Sequence, residues 1–371
     1  MKLSILQQDL LPALQSASRS STKTTLPVLS NILLQTEDGK LKLSATNLEI
    51  GVIKKVNANI TEDGEITIPA RTLVEIVSAL DGQTIEIESQ AEQLKITTKN
   101  FNATINGISA SEFPAIPLSS ENSILIDAKV LSSSLPQITF AAASDEGRPV
   151  LTGILTEIKK DSIELVATDG FRLAHKTAKL ESSTDSTFRS LIPRRTFEEV
   201  VRLISEDLGS SKDEKIEIST SEGQNQMIFK IGNSQLSSRL IEGQFPTWEK
   251  IIPTEFKNRT VVDRGELLKA IKLASVFAKD NSSIVKINTK ESKLVITSEA
   301  KELGSQETDV DAQVEGEQIL IAFNARFLIE ALNATNASQV GIEFSGNLSP
   351  ALIKPLGQEG LEYVVMPIRL S

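Results

Sequence analysis

The sequence predicts an α+β chain of three similar domains, each made of antiparallel sheets with two helices. Two observations carry this. A strand-then-helix pattern occurs three times at similar spacing, and the extended segments alternate apolar with polar residues, so each sheet has one buried and one wet face. The first copy runs Lys2-Leu3-Ser4-Ile5 into Leu10, Leu11, Leu14 and Ala17; the second runs Ile124-Leu125-Ile126-Asp127 into Val130, Leu131, Leu135 and Ile138. The third runs Val261-Val262-Asp263 into Leu267, Leu268, Ile271 and Ala274. In each, the apolar residues pass from an extended run to i, i+3, i+4 spacing, which puts them on one helical face.

Further along each copy, residues 41–47, 163–169 and 294–299 read as a strand ending in a polar turn. Residues 66–71, 191–195 and 320–326 read as a strand leading into a second helix, with Pro69 and Pro193 where a missing N–H costs nothing. Alternation is clear in Ile85-Glu86-Ile87-Glu88, in Ile216-Glu217-Ile218 and in residues 226–231. Phe113-Pro114 and Phe245-Pro246 close the first two copies, and residues 363–370 read as the last strand of the third. The polar, aperiodic stretches 118–122 and 253–259 are the expected connectors, giving domains 1–120, 121–254 and 255–371.

Composition narrows the chemistry. The 371 residues contain no cysteine and one histidine, which excludes disulfides, a thiolate nucleophile, cysteine-ligated zinc and iron–sulfur clusters. Neither G-x-x-x-x-G-K-[ST] nor G-x-G-x-x-G is present, so no nucleotide cofactor and no metal are expected. The first sixteen residues fit neither a signal peptide nor a membrane span, and the expected home is the reducing cytoplasm. His175 reads as an ordinary strand histidine for want of visible partners, and Asp145 with Glu146, or Asp161 with Glu164, as solvated carboxylates.

Charge is less bland. With 39 Lys plus Arg against 49 Asp plus Glu, the net charge is −10, yet basic residues gather on the helical segments of all three copies. They include Arg19, Arg71, Arg194, Arg195, Arg202, Arg264, Lys269, Lys272 and Lys279. Lys269 and Lys272, three apart, share a face turned away from Leu267 and Ile271. This predicts a phosphate-facing surface without base stacking, since no aromatics interleave. The acidic run Glu299, Glu302, Glu307, Asp309 and Asp311 follows a strand that could edge a sheet; it is either a charged edge that deters aggregation or an oligomer contact.

The chain resembles one family along its whole length, the bacterial sliding clamp, the beta subunit of replicative DNA polymerase III. The resemblance lies in Thr25-Leu26-Pro27-Val28-Leu29, in Gly147-Arg148-Pro149-Val150-Leu151-Thr152-Gly153 and in Ala167-Thr168-Asp169-Gly170-Phe171-Arg172-Leu173-Ala174. Phe245-Pro246 and the terminal Tyr363-Val364-Val365-Met366-Pro367-Ile368-Arg369-Leu370 complete it. It implies a DNA-clamp fold and a dimeric ring: a head-to-tail homodimer, six domains around duplex DNA, helices inward, sheets outward, no reading of base sequence and no catalysis. It also implies an ATP-dependent loader made of other chains, and a pocket for short peptides of the polymerase and of other replication and repair proteins.

The positions that match the family's DNA-facing residues are Lys23, Arg71, Arg148 and Arg194, to which the helical face adds Lys269 and Lys272. Those that match the peptide pocket are Leu151, Thr168, Gly170, Phe171, Arg172, Leu173, Pro246 and Ile251, joined by Leu348, Pro350, Val364, Met366, Pro367, Ile368, Arg369 and Leu370. For the ring interface, Phe101, Ala103 and Ile105 are expected against Val276 and Phe277 of the neighbour, with Glu299 and Glu302 nearby. The competing readings are a hydrolase or lyase built on His175 and a monomeric β-rich scaffold.

Overall fold

The structure, a computed structural model, describes residues 1–22, 25–119, 123–145, 147–180, 187–209, 214–221, 223, 225–278, 283–300 and 304–369. Lys23, Lys279, Glu302, Leu370 and Glu146 therefore lie outside the described residues. Each predicted domain carries two α-helices: α1 (Gln7–Ser18) and α2 (Ala70–Ser78), α3 (Ala128–Ile138) and α4 (Arg194–Asp207), then α5 (Arg264–Ala278) and α6 (Ala325–Asn333). The apolar stripes read from sequence are the buried faces: Leu10, Leu14 and Ala17 on α1, Leu131, Leu135 and Ile138 on α3, Leu267, Ile271 and Ala274 on α5.

The chain forms two compact units, Met1–Lys129 with Glu199–Leu240, and Val130–Glu198 with Ile241–Ser371. The first holds a five-stranded and an eight-stranded sheet, the second a twelve-stranded sheet. In the eight-stranded sheet, strands of the first and second repeats meet where Ile50–Asn57 pairs antiparallel with Ser234–Arg239, Val52 opposite Leu236. In the twelve-stranded sheet, the second and third repeats meet in the same way: Arg172–Lys179 pairs with Leu361–Val365, Ala174 opposite Tyr363.

Each repeat also closes alike. The Ile108 N–H donates to the Thr67 carbonyl (3.0 Å), Ile241 to Leu191 (2.9 Å) and Ile368 to Ala322 (2.7 Å). Thr67, Leu191 and Ala322 hold the same place, two residues before the end of the strand that leads into α2, α4 or α6. This corrects two sequence expectations. The last strand stops at Val365 instead of running to residue 370, because Pro367 has no N–H to give a ladder and Ile368 turns to another sheet edge. Asn258 and Arg259, expected in a connector, open the strand Asn258–Asp263.

A partly buried ionic network lies in the first unit. Lys54, nearly enclosed, sits 2.5 Å from Asp207, while Arg19 pairs with Glu199 (2.7 Å) and Glu206 (2.8 Å). Arg19, expected on a phosphate-facing surface, is thus spent inside the protein, and Arg202 pairs with Glu199 (3.2 Å). Lys54→Ala leaves the buried Asp207 carboxylate without its cation and should lower the unfolding free energy by about 3 kcal/mol; urea unfolding followed by circular dichroism measures it.

Candidate functional site

The turn between the strands Ser162–Thr168 and Arg172–Lys179 is fixed by its own side chains. Thr168 Oγ1 donates to the Arg172 carbonyl (2.6 Å) and accepts from the Gly170 N–H (3.1 Å). Asp169 Oδ1 accepts from the N–H groups of Phe171 (2.9 Å) and Arg172 (3.0 Å), an Asx turn. Gly170 has φ +91°, a backbone conformation that favours glycine, and a Cβ there would come within 3.1 Å of the Arg148 guanidinium, which would have to shift slightly. The same guanidinium donates from Nη2 to the Asp169 carbonyl (3.1 Å).

This backbone throws Phe171 outward, 58% exposed, its ring stacked on Phe327 of α6 at 6.5 Å between centroids. Arg172 goes the other way and is buried. Its Nε donates to Asp169 (3.1 Å), Nη2 to the Phe140 carbonyl (2.8 Å) and Nη1 to Glu330, and its guanidinium lies between the rings of Phe140 (5.2 Å) and Phe327 (4.7 Å). All three nitrogens of that fork bond within the protein, so Arg172 shapes the turn.

Behind the turn lies an apolar bed. Leu173 and Val364 pack with Leu155, Val166, Leu191, Trp248 and Leu352, and Ile251 and Phe245 lean on them. Leu173, Val364 and Ile251 were named from sequence. Trp248 was not, and Phe245 was named only as closing the second copy and in the family resemblance, although apolar residues at 241, 245, 248, 251 and 252 in an otherwise polar stretch carried the signal. Met366 donates its N–H to the Phe171 carbonyl (2.9 Å), which ties the chain's end to the turn. Leu348 is 58% exposed, Pro246 and Arg369 are exposed, and Pro350, Met366, Pro367 and Ile368 are half-buried. Thr168 and Leu151 are buried.

The other named residues are more scattered. Arg71 is exposed and pairs with Glu75, Arg194 pairs with Glu198, and Arg148 is exposed. Lys269 and Lys272 are exposed on α5, on one stripe with Leu273 and Val276; Leu273, 49% exposed, escaped the sequence reading. Phe101 and Ala103 are half-buried, whereas Ile105 is buried opposite Leu94. Phe277 is half-buried, and Glu299 pairs with Lys286 (3.1 Å).

Several strand edges stand open among the described residues, Asn59–Glu62 and Ser123–Asp127 among them, and two more bear on assembly. Phe101–Asn106 pairs only with Gln93–Thr98. Gly304–Gly316 pairs with Lys293–Ala300 over residues 304–311, but its other side is paired only over 312–316. No group of three or more His, Cys, Asp or Glu among the described residues is gathered as a metal would require, and no helix is long and apolar enough to cross a membrane.

Arg172→Lys should cost about 2 kcal/mol in stability, because an ammonium cannot serve Asp169, Glu330 and the Phe140 carbonyl from one plane; differential scanning calorimetry reads it. Burial disfavours the Glu330 carboxylate, but hydrogen bonds from Arg326 and Arg172 outweigh burial and hold its carboxyl below the ordinary value. A depressed carboxyl stabilises above its unfolded pKa, and that stability is lost as pH falls. Acid scans of Glu330→Gln should therefore show a shallower loss of melting temperature than the parent.

Three family models match in order: the N-terminal domain of the DNA polymerase III beta subunit over residues 1–117, the central domain over 125–247 and the C-terminal domain over 249–369. A beta sliding clamp of Synechococcus elongatus is 33% identical over the whole of both chains, and one of Staphylococcus aureus 30% over 94% of each. Among solved structures, the DNA polymerase sliding clamp of Bacillus subtilis superposes with a TM-score of 0.94 at 28% identity, and a DNA polymerase III beta subunit from Eubacterium rectale with 0.93 at 26%. Both cover 100% of each chain. The chain belongs to the DNA polymerase III beta subunit family, the beta sliding clamps, which serve the polymerase as processivity factors and are not themselves catalysts.

Proposed function

We propose that two copies of the chain close head to tail into a ring around duplex DNA and hold the replicative polymerase there through the surface beside the 168–172 turn. The observation that carries the ring is a junction used twice within the chain. The fourth strand of the first repeat pairs with the last strand of the second, and the fourth strand of the second with the last strand of the third. Of the strands in these two positions, those left over are the fourth of the third repeat, open along 304–311, and the last of the first, Phe101–Asn106. In one chain these are the loose ends; between two chains, which carry four internal junctions, they are a fifth and sixth of the same kind.

The closing contacts give the register. Leu236 and Tyr363, at the two existing junctions, each lie five residues before the closing Ile241 or Ile368, and the residue five before Ile108 is Ala103. Their partners Val52 and Ala174 face Ala45 and Ala167, and Ser298, which matches these two, faces Gln306. Ala103 then pairs with Gln306 of the second copy and Asn102 with Glu307. Beside this edge α5 offers the exposed apolar Leu273 and Val276 for burial.

For the peptide surface, exposed Phe171, Leu348 and Pro246 with half-buried Met366 and Pro367 offer adaptable apolar contact over a rigid bed, suited to leucine and aromatic anchors of an extended peptide. On this reading the polymerase, an ATP-dependent loader and other replication or repair proteins share one surface. Lys269 and Lys272 add a mild, sequence-blind attraction for phosphate.

Three outcomes are expected. In a chain with no cysteine of its own, Asn102→Cys combined with Glu307→Cys should oxidise to a covalent dimer on a non-reducing gel, while Asn102→Cys with Asp309→Cys should not. Met366→Ala should weaken a dye-labelled peptide with leucine and phenylalanine anchors about tenfold without changing subunit association, as fluorescence anisotropy would report. Replacing Lys269 and Lys272 together by Gln should shorten polymerase run lengths most at low salt, the deficit narrowing as salt rises; equal run lengths at every salt concentration would remove them from the DNA-facing surface.

A further inference from the structure

His175 is not the partnerless strand histidine that the sequence suggested. Its Nδ1 lies 2.8 Å from Glu362 Oε1 and its Nε2 3.1 Å from Glu164 Oε1, in the strands on either side. It stands midway along an ionic row that crosses one face of the twelve-stranded sheet. On one flank Arg189 pairs with Glu157 (2.8 Å), and Lys159 with both Glu157 (3.6 Å) and Glu164 (2.6 Å). On the other, beyond Glu362, Lys354 and Arg259 share Glu343 (3.1 and 3.2 Å). Charges alternate along the row, and His175 occupies a place where alternation calls for a cation.

Hydrogen-bond chemistry makes the same demand. A carboxylate only accepts, so both ring nitrogens can bond their carboxylates only if both carry protons. A neutral ring keeps one of these bonds, and its bare nitrogen then faces a carboxylate oxygen. An alternative partner is at hand: the Thr177 hydroxyl lies 3.3 Å from Nε2 and can donate to it. Glu164 is not stranded by that exchange, because Lys159 still holds it. Two bonded arrangements therefore exist, differing by one proton.

The second consequence of that proton falls on Trp248. Its ring lies 4.5 Å from the imidazole, tilted by 43°, and a charged imidazolium attracts an indole face more strongly than a neutral ring does. Trp248 is buried in the apolar bed and opens the short turn Trp248–Ile251, between Pro246 and Ile251 of the proposed peptide surface.

We propose that His175 is a proton-sensitive positioning residue: as an imidazolium it bonds Glu164 and Glu362 and holds Trp248, and on deprotonation it gives up Glu164 for Thr177 and loosens the segment that walls the peptide surface. The link to peptide binding rests on the reading of that surface given above; the exchange at His175 does not. The other charged groups facing His175 are Glu157, Lys159, Glu164 and Glu362, which are held by ion pairs or by the histidine itself.

The single tryptophan of the chain reports the state directly. Emission of the intact protein is recorded from about pH 5.5 to 9, the range in which an imidazole changes charge. Imidazolium quenches indole, so emission should rise in one single-proton step as pH increases, and His175→Gln should abolish the step. Thr177→Val removes the neutral ring's partner and should move the step to higher pH. Affinity for the dye-labelled peptide with leucine and phenylalanine anchors should fall a few-fold across the same step in the parent and stay flat in His175→Gln.

Flat parent emission, or a step that survives in His175→Gln, overturns the proposal. A step in emission with no change in peptide affinity overturns the positioning role. Absence of peptide binding at every pH refutes the surface assignment instead, and emission alone then decides whether His175 exchanges partners.

Discussion

An antiparallel strand carries a row of N–H and C=O groups on each side, and a side left open must find another strand or be guarded. Here that constraint organises the chain. Each repeat leaves its fourth strand with one free side, and twice that side is taken by the last strand of the following repeat, at Val52 with Leu236 and at Ala174 with Tyr363. The sheets thus run across repeat boundaries, and the central repeat contributes strands to both compact units. Helices need no such continuity, since their backbone bonds are internal. It is the strands that join one repeat to the next.

The same constraint explains where the proposed peptide surface sits. The junction of the second and third repeats puts the 168–172 turn beside the chain's end, and the Met366 N–H, freed by the end of the last strand, is taken by the Phe171 carbonyl. Pro367 ends the ladder and Ile368 crosses to the edge beside α6. A surface assembled from a turn, a tail and the 241–256 segment would ordinarily be loose. Here the turn is locked by Thr168, Asp169 and Arg172, and the segment by Trp248 in the apolar bed.

Much of this was legible in the sequence, and what was not has a physical reason. The helices were visible because their signal is local: Leu10, Leu14 and Ala17 lie within two turns of one another, and so do Leu267, Ile271 and Ala274. The strand repeats were visible through alternation and shared turns. Side-chain partners across strands were not, because they are distant in sequence: Glu362 is 187 residues from His175, and Glu330 is 158 from Arg172. Arg19 looked like surface charge for the same reason, its acids being 180 and 187 residues away on α4. The last strand was read too long because its residues stay apolar past Val365, and hydropathy does not register that Pro367 cannot donate.

The internal pairing of basic residues bears on how such a protein could hold DNA at all. With a net charge of −10, attraction for phosphate must be local, and several helical arginines spend part of theirs on neighbours: Arg71 on Glu75, Arg194 on Glu198, Arg19 and Arg202 on Glu199. Each phosphate contact neutralised adds about one unit to the salt slope of binding and a comparable obstacle to movement along the duplex. A protein that gripped through many free cations would bind tightly and move slowly. One that spends several of them on neighbouring carboxylates grips more weakly, so its retention must come from closure of the strand edges around the duplex. Weak attraction and closed sheets are then two halves of one solution: the backbone bonds of the junctions supply the persistence that the electrostatics give up.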